Sequence, residues 1–423
     1  MDAARQQKAE ALVAGGRITR GNGFFWVPSQ NSGGRNGRHK VVCGDLISFC
    51  TCDDYELTGQ PCKHILAVKL WLEREQLPEP KPALPMPSLP KRKSYAQDWP
   101  NYDLAQTREK GHFHELLADL TAGIPDVPPK GGKKGGRPAI PLRDAVYAIV
   151  AKVYGEKSAR RSVCDLNEAN ERGHLSRSLC FSSVVKCMDN PELFPILCEL
   201  VRESALPLAA VEADFAVDSS GFCTTRYIRY FDVKYGTERK AAKWVKCHIC
   251  TGVKTNCVTA VEIFEQRAAD TLQLPSLVEQ TARGFEVREV SADKAYCGNA
   301  NFEAVALQGG TLYAPFKTTT TGKIGGLFGK MYHYFNYNRE EYLQHYHKRS
   351  NVESTFSAIK RKFGDAVRSK TDAAQKNEVL CKLVCHNLTC LIAAMYELGI
   401  VPQFWQNDDD GSSPTVIRFP SRG

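Results

Sequence analysis

The sequence predicts an α/β chain: a mixed-sheet core, a helical region before it, and a small module at the N-terminal end. Three observations carry this. Two apolar runs end in an aspartate, at Asp218 and Asp293, with a hairpin pattern between them. A later stretch spaces Tyr346, Arg349, Glu353 and Lys360 as Y-x2-R-x3-E-x6-K. Near the start, Cys50, Cys52, Cys62 and His64 follow C-x-C-x9-C-x-H.

Residues 1–77 form the first module. Phe24–Val27, Lys40–Cys43 and Ile47–Cys50 read as short strands, and Lys63–Glu75 as a helix with His64 in its first turn. Four soft or borderline ligands within fifteen residues suit tetrahedral Zn²⁺ in a closed structural site. A region this small has a thin core, so bound metal contributes directly to its folding. The plainer alternative is a set of reduced cysteines and a histidine packed in a small core. Cys43 is a spare thiol, but its gap to Cys50 fits the pattern less well. Together with the approach Val41-Val42-Cys43-Gly44-Asp45, the pattern resembles the SWIM zinc finger. Two roles stay open. Arg35, Arg38, His39, Lys40 and Lys63 make the finger basic enough to touch DNA, and protein contact is equally compatible.

Prolines at 78, 80, 82, 85, 87 and 90, followed by Lys91-Arg92-Lys93, mark 78–98 as a stiff basic linker. From 99 to 209 the pattern is helical and reads as a DNA-binding region, with Leu142–Tyr154, Ala159–Ala169 and Glu192–Arg202 the clearest helices. Before them lies the glycine-rich basic loop from Lys130 through Lys133 and Lys134 to Arg137-Pro138. Arg137 there either enters a narrow A·T-rich minor groove or belongs to a merely basic tether; both readings stay open. Residues 401–423, with Asp408-Asp409-Asp410-Gly411, read as a disordered tail.

Residues 210–400 hold the core. Ala213–Asp218 reads as a short buried strand closed by a Ser219-Ser220-Gly221 turn. Phe285–Ala292 reads as another, with Asp293 at its C-terminal end before Lys294-Ala295-Tyr296 and a turn at Gly298. Carboxylates just beyond the C-terminal ends of strands sit where open α/β sheets place their sites. Trp244–Gly252 and Val258–Phe264 form a hairpin across residues 253–256. Thr271–Arg283 and Ala300–Leu307 follow as helices, Thr311–Phe316 as a strand, and Lys317–Lys330 as a mobile basic loop. On one α-helix, Tyr346, Arg349, Glu353 and Lys360 share a stripe about 60° wide, beside an apolar stripe of Val352, Phe356, Ile359 and Phe363. A solvated charged face is the plain reading of such a run. The two upstream aspartates weigh against it, because a carboxylate flanked by cations is what metal binding next to phosphate requires.

The ordered set of Asp218-Ser219-Ser220-Gly221, Ala292-Asp293-Lys294-Ala295-Tyr296, the Tyr346–Lys360 stripe and His386-Asn387 on a final apolar helix resembles a known family. The family is the DDE transposases of bacterial insertion sequences with a Y-R-E-K signature, and the likeness covers about 130–398. It implies a ribonuclease-H-like fold in which Asp218, Asp293 and Glu353 bind two Mg²⁺ ions, with Mn²⁺ as a substitute. It also implies that Tyr346, Arg349 and Lys360 contact phosphates of the element's ends. Paired ions of this kind activate a water or 3′-hydroxyl and stabilise the departing oxygen. The implied activity is binding of terminal inverted repeats, cleavage of the ends, and joining of their 3′-hydroxyls to target DNA. A homodimer on DNA, at the nucleoid in a bacterial cytoplasm, goes with it. Among rival acids, Asp270 reads as a supporting residue, and Asp214 and Asp232 as surface or capping ones. Trp244 reads as a strand core residue before it reads as a platform for a flipped base. Two other functions stay open: a retired transposase kept as a DNA-binding regulator, against which the intact triad argues, and a nuclease that cuts without joining.

Composition agrees with a nucleic-acid partner. The net charge is +9, and Lys and Arg contacts to phosphate weaken steeply with salt. The sixteen cysteines are scattered, with Cys247, Cys250, Cys381 and Cys385 in apolar patterns, and read as reduced core thiols rather than a disulfide scaffold. With neither an apolar signal region nor a run of about 20 apolar residues, no membrane partner is expected.

Overall fold

The computed structural model describes residues 3–29, 37–44, 48–75, 98–125, 139–224, 244–265 and 270–405. It divides into two compact units, Met1–Tyr95 and Ala96–Gly423. Most of the proline linker, the basic loop with Arg137, Asp232 and the acidic run at 408–410 lie outside the described residues, as does the side chain of Asp270.

The first unit starts with helix α1 (Ala3–Ala14) and a four-stranded antiparallel sheet in the order β1 (Thr19–Gly21), β2 (Phe24–Pro28), β3 (Arg38–Cys43), β4 (Ser48–Cys50). A short helix α2 (Asp53–Thr58) and then α3 (Lys63–Glu75) complete it. The sheet's inner face, Phe25, Val27, Val41 and Cys50, packs with Ala9, Leu12 and Val13 of α1 and Ile65 and Val68 of α3. Neither α1 nor β1 stands out in the sequence; α1 is a weakly amphipathic helix that gains its stability from this packing.

The second unit opens with five helices: α4 (Trp99–Ala122), α5 (Leu142–Tyr154), α6 (Ala159–Glu171), α7 (Phe181–Met188) and α8 (Leu193–Ala205). Side chains of Asp98 and Ser158 cap α4 and α6 by accepting from the Asn101 and Arg161 amides. The mixed sheet then follows as β5 (Asp214–Cys223), β6 (Trp244–Gly252), β7 (Val258–Glu265), β8 (Glu289–Ala292) and β9 (Thr311–Tyr313). Its spatial order is β7-β6-β5-β8-β9; β5, β6 and β7 are antiparallel, and β8 and β9 run parallel to β5. Helices α9 (Leu274–Ala282) and α10 (Asn299–Leu307) connect the strands, and α11 (Gly326–Tyr337), α12 (Arg339–Tyr346), α13 (Ser350–Phe363) and α14 (Asp372–Glu397) finish the chain.

Helix α14 is long and apolar enough to cross a membrane by length and composition, but it is mostly buried, as a core helix is. It packs against α4, α5 and α8. Its buried Asn387 donates to Val201 O (2.9 Å) on α8 and Val258 O (2.7 Å) on β7, and accepts from the Val258 amide. One side chain thus joins the last helix to the sheet and the helical layer.

Several expectations are corrected. Ser219-Ser220-Gly221 is not a turn, because β5 runs on to Cys223 and pairs these residues with His248, Cys247 and Lys246 of β6. Gly221 fits here because the Trp244 ring, 42% exposed rather than in the strand core, lies over it, where a Cβ would come within 3.1 Å. Residues 317–330 are not all loop: Gly325 (φ 71°) and Gly326 (φ 60°) turn the chain through the left-handed region into α11. That helix then buries Phe328, Met331 and Phe335. The tail is not free from residue 401, since the Trp405 indole donates to Leu120 O at 2.8 Å and its ring covers Gly123. Finally, the polar stripe does not lie on one helix, as the site makes plain.

Candidate catalytic and metal sites

The register of β5 with β8 brings two carboxylates together. Their parallel ladder ends at Val217 opposite Ala292, so Asp218 and Asp293 are the next residues off its end. Asp218 stays on a strand, held by β6 on its other side opposite Ile249. Its Oδ1 accepts the Ser219 amide at 2.8 Å. Asp293 is extended and precedes the 3-10 turn Lys294–Tyr296.

Tyr346, Arg349 and Glu353 are carried by three pieces rather than one helix: α12, a 3-10 turn over His347–Arg349, and α13. Where the backbone tightens, Lys348 reaches down to the sheet. Its Nζ donates to Asp214 Oδ2 (2.7 Å) and Glu289 Oε2 (2.6 Å). His345 Nδ1 lies 2.9 Å from the same Glu289 oxygen, and Ser291 Oγ donates to His345 O at 3.0 Å. Arg288 pairs with Asp214 from the other side. Asp214 is therefore one end of an ion-pair clasp, not a surface or capping acid. Sequence reasoning missed Lys348, Glu289, Arg288 and His345. Their link depends on Asp214 facing Glu289 across the ladder, which no local pattern reveals.

The apolar stripe of α13 packs as expected: Val352, Phe356, Ile359 and Phe363 are all buried. That seats Arg349 among the acids. Its Nη2 is 3.4 Å from Asp218 Oδ2, its Nε 4.0 Å from Asp293 Oδ1, and its Nη1 2.5 Å from Glu353 Oε1. One guanidinium thus reaches three carboxylates drawn from two strands and a helix. Its Nε is buried and, among the described residues, has no hydrogen-bond partner. The Asp293 and Glu353 side chains are 45% and 58% exposed, so the cluster opens to solvent on their side.

Charge and burial compete here. Burial pushes the Asp218 carboxyl above its ordinary range, the Ser219 amide and Arg349 pull it back, and Asp293 and Glu353 add to the rise. For Arg349, burial disfavours the charge, but Asp218, Glu353, Tyr346 and Asp293 outweigh it and raise the pKa. Burial also raises the Tyr346 phenol, with Arg349 opposing. Lys360 folds onto β5: its Nζ donates to Ser220 Oγ at 2.6 Å and lies 5.4 Å from the Phe222 ring centre, and burial lowers its pKa. The three carboxylates meet on the Arg349 guanidinium and offer oxygen donors alone, the kind that hard divalent cations such as Mg²⁺ take. Among the described residues only the Cys₃His group of the first unit brings its ligand atoms within 4.8 Å of one another.

In the first unit, Cys50 ends β4, Cys52 precedes α2, and Cys62 and His64 flank the start of α3. Their ligand atoms all lie within 4.8 Å of one another, and all four residues are buried. His64 Nδ1 is 3.8 Å from Cys50 Sγ and 3.9 Å from Cys62 Sγ. These separations are close to the edges, about 3.6–3.8 Å, of a tetrahedron with ordinary Zn–S and Zn–N bonds. A hydrogen bond from Cys50 pulls the Cys62 thiol well below its ordinary value against the effect of burial, with His64 assisting. Cys43 stands apart, its sulfur 3.8 Å from Ser48 Oγ.

Residues 210–388, which take in Asp218, Asp293 and Glu353, match the family model of the transposase DDE domain. Residues 39–70 match that of the SWIM zinc finger. The two matches support a DDE transposase with a SWIM finger. No curated protein and no solved structure matches the chain. The SWIM match and the Cys₃His cluster together support zinc in the first unit.

Proposed function

We propose that this chain is a bacterial insertion-sequence transposase of the Y-R-E-K type. It cuts the ends of its element through a two-metal site at Asp218, Asp293 and Glu353, and joins the freed 3′-hydroxyls to target DNA. The observation that carries the reading is the convergence of three distant carboxylates on one guanidinium. The strand order, three antiparallel strands followed by two parallel ones, fits a ribonuclease-H-like core.

Bound Mg²⁺, or Mn²⁺ in its place, would supply a polarised attacking oxygen and a stabilised leaving oxygen. The chain's own groups do the rest. Asp218, Asp293 and Glu353 offer hard oxygen ligands and set where the scissile phosphate must lie. Arg349 offsets the mutual repulsion of the three acids and turns to a phosphate oxygen when DNA arrives. Tyr346 and Lys360 flank it as further phosphate donors, Lys360 from beside Ser220. Cys50, Cys52, Cys62 and His64 hold a structural Zn²⁺. The region 99–209 and Arg137 contact the inverted repeats, and two copies act together on a pair of ends in the cytoplasm.

The test is cleavage of DNA bearing the inverted repeats that flank the coding region, with Mg²⁺ present. Asp218→Ala should lose cutting by at least about a thousandfold, about 4 kcal/mol of barrier, while still binding the ends. An Asp218→Ala protein that cuts like the parent ends the proposal. Joined products bordered by short direct duplications separate strand transfer from cutting alone.

A further inference from the structure

Among the described residues, the sheet of the first unit buries only one face. Phe25, Val27, Val41 and Cys50 point inward, and the two-residue alternation places Phe24, Trp26, Lys40, Val42 and Phe49 on the other side. The ladder aligns them, with Trp26 opposite Lys40 and Val42 opposite Phe49. Trp26, Val42 and Phe49 are 36%, 37% and 46% exposed. Phe24 meets Trp26 edge-on at 5.5 Å, and the Lys40 ammonium sits 4.3 Å from the Phe24 ring centre. Tyr55 steadies Phe49 from the flank, its ring 5.5 Å away and its hydroxyl donating to Ser48 O at 2.7 Å. Arg38 and Lys40 share this face, opposite Pro28 and Trp26, and the four strands carry no aspartate or glutamate.

Exposed rings grouped on one face mark a surface that something covers. A protein partner would have to set acidic side chains between its apolar ones to match the cations beside these rings. A polyanion with flat apolar faces uses both. Rings standing on the open face of a sheet backed by helices are how unpaired bases are held, by stacking that tolerates any sequence. We propose that the outer face of this sheet is a binding site for single-stranded nucleic acid. Bases stack on Phe24, Trp26 and Phe49, and phosphates run along Arg38 and Lys40, which share that face. The site lies outside the carboxylate cluster and stands whether or not Asp218 supports cutting.

The experiment uses the full-length, zinc-loaded protein and a fluorescent oligothymidylate, followed by anisotropy. Trp26→Ala and Phe49→Ala should each weaken binding about tenfold or more, while Trp26→Phe, which keeps a ring, should stay within about threefold. Equal zinc content and helicity in Trp26→Ala, Phe49→Ala and the parent separate lost stacking from lost folding. Photocrosslinking with 5-iododeoxyuridine in the probe should place adducts on the Phe24–Pro28 and Ser48–Cys50 peptides. An oligouridylate that binds the same face equally well supports the shared chemistry of stacking. Ring-less variants that bind like the parent, or adducts found only beyond residue 96, overturn the proposal.

Discussion

The two units gather their charged and metal-ligating groups in opposite ways. In the first, Cys50, Cys52, Cys62 and His64 come from one short stretch, are fully buried, and offer soft ligands. In the second, Asp218, Asp293 and Glu353 come from two strands and a helix, stay partly open to solvent, and offer only oxygens. A buried cluster that holds a small core together gains from being closed. A cluster that must admit a phosphate gains from being open and from carrying a counter-charge that can leave. The first arrangement ties the fold to its metal, whereas the second keeps its fold from the apolar face of α13 and the sheet behind it.

The largest effect should come from breaking the first cluster. Stripping zinc with a chelator should unfold residues 3–75, seen as loss of dispersed NMR signals from that unit. The thermal transition of the second unit should stay where it was. The contrast fails if the first unit keeps its signals without metal.

A second test exchanges the counter-charge. Arg349→Met removes a positive charge from among three acids, so Mn²⁺ should bind about tenfold tighter by calorimetry, even as cleavage falls. Unchanged or weaker Mn²⁺ binding would show that the guanidinium does not compete with cations for the cluster.

A third reaches the clasp behind it. Lys348→Met leaves Asp214 and Glu289 with Arg288 and His345 as their remaining partners. Because Lys348 is partly exposed, the loss should be about 2 kcal/mol rather than the full cost of a buried pair, read from urea unfolding.

A fourth concerns pH in the second unit. Burial lowers the His386 imidazole to about 4, with its ring nitrogen 2.9 Å from Asn256 O. The unfolded chain binds that proton near pH 6.5, so stability is complete above 6.5 and is lost as pH falls toward 4. Between pH 7 and 5 the loss is about 2 kcal/mol, and His386→Gln should lack it.

What could be read from the sequence follows the same division. Helices such as Lys63–Glu75 and Leu142–Tyr154, and the strand Trp244–Gly252, begin and end where their patterns place them, because those patterns are local and strong. The zinc cluster is local too. Two of the acids, Asp218 and Asp293, could be picked out by type and position, but their adjacency rests on the β5–β8 register, which only the finished ladder fixes. Ser219-Ser220-Gly221 has the composition of a turn, and pairing with β6 overrides it. The 3-10 turn at 347–349 escapes a helical-wheel argument because a distant ion pair accompanies the tightening.

One repeated interval has a wider consequence. Asp214 precedes Asp218, and Glu289 precedes Asp293, by the same four positions on paired strands, a rise of about 13 Å. Lys348 holds one end of this ruler and Arg349 the other. Deleting a single residue between Asp214 and Asp218 would turn the Asp218 carboxylate through the plane of the sheet. The chain should therefore tolerate changes of side chain along this segment far better than changes of length.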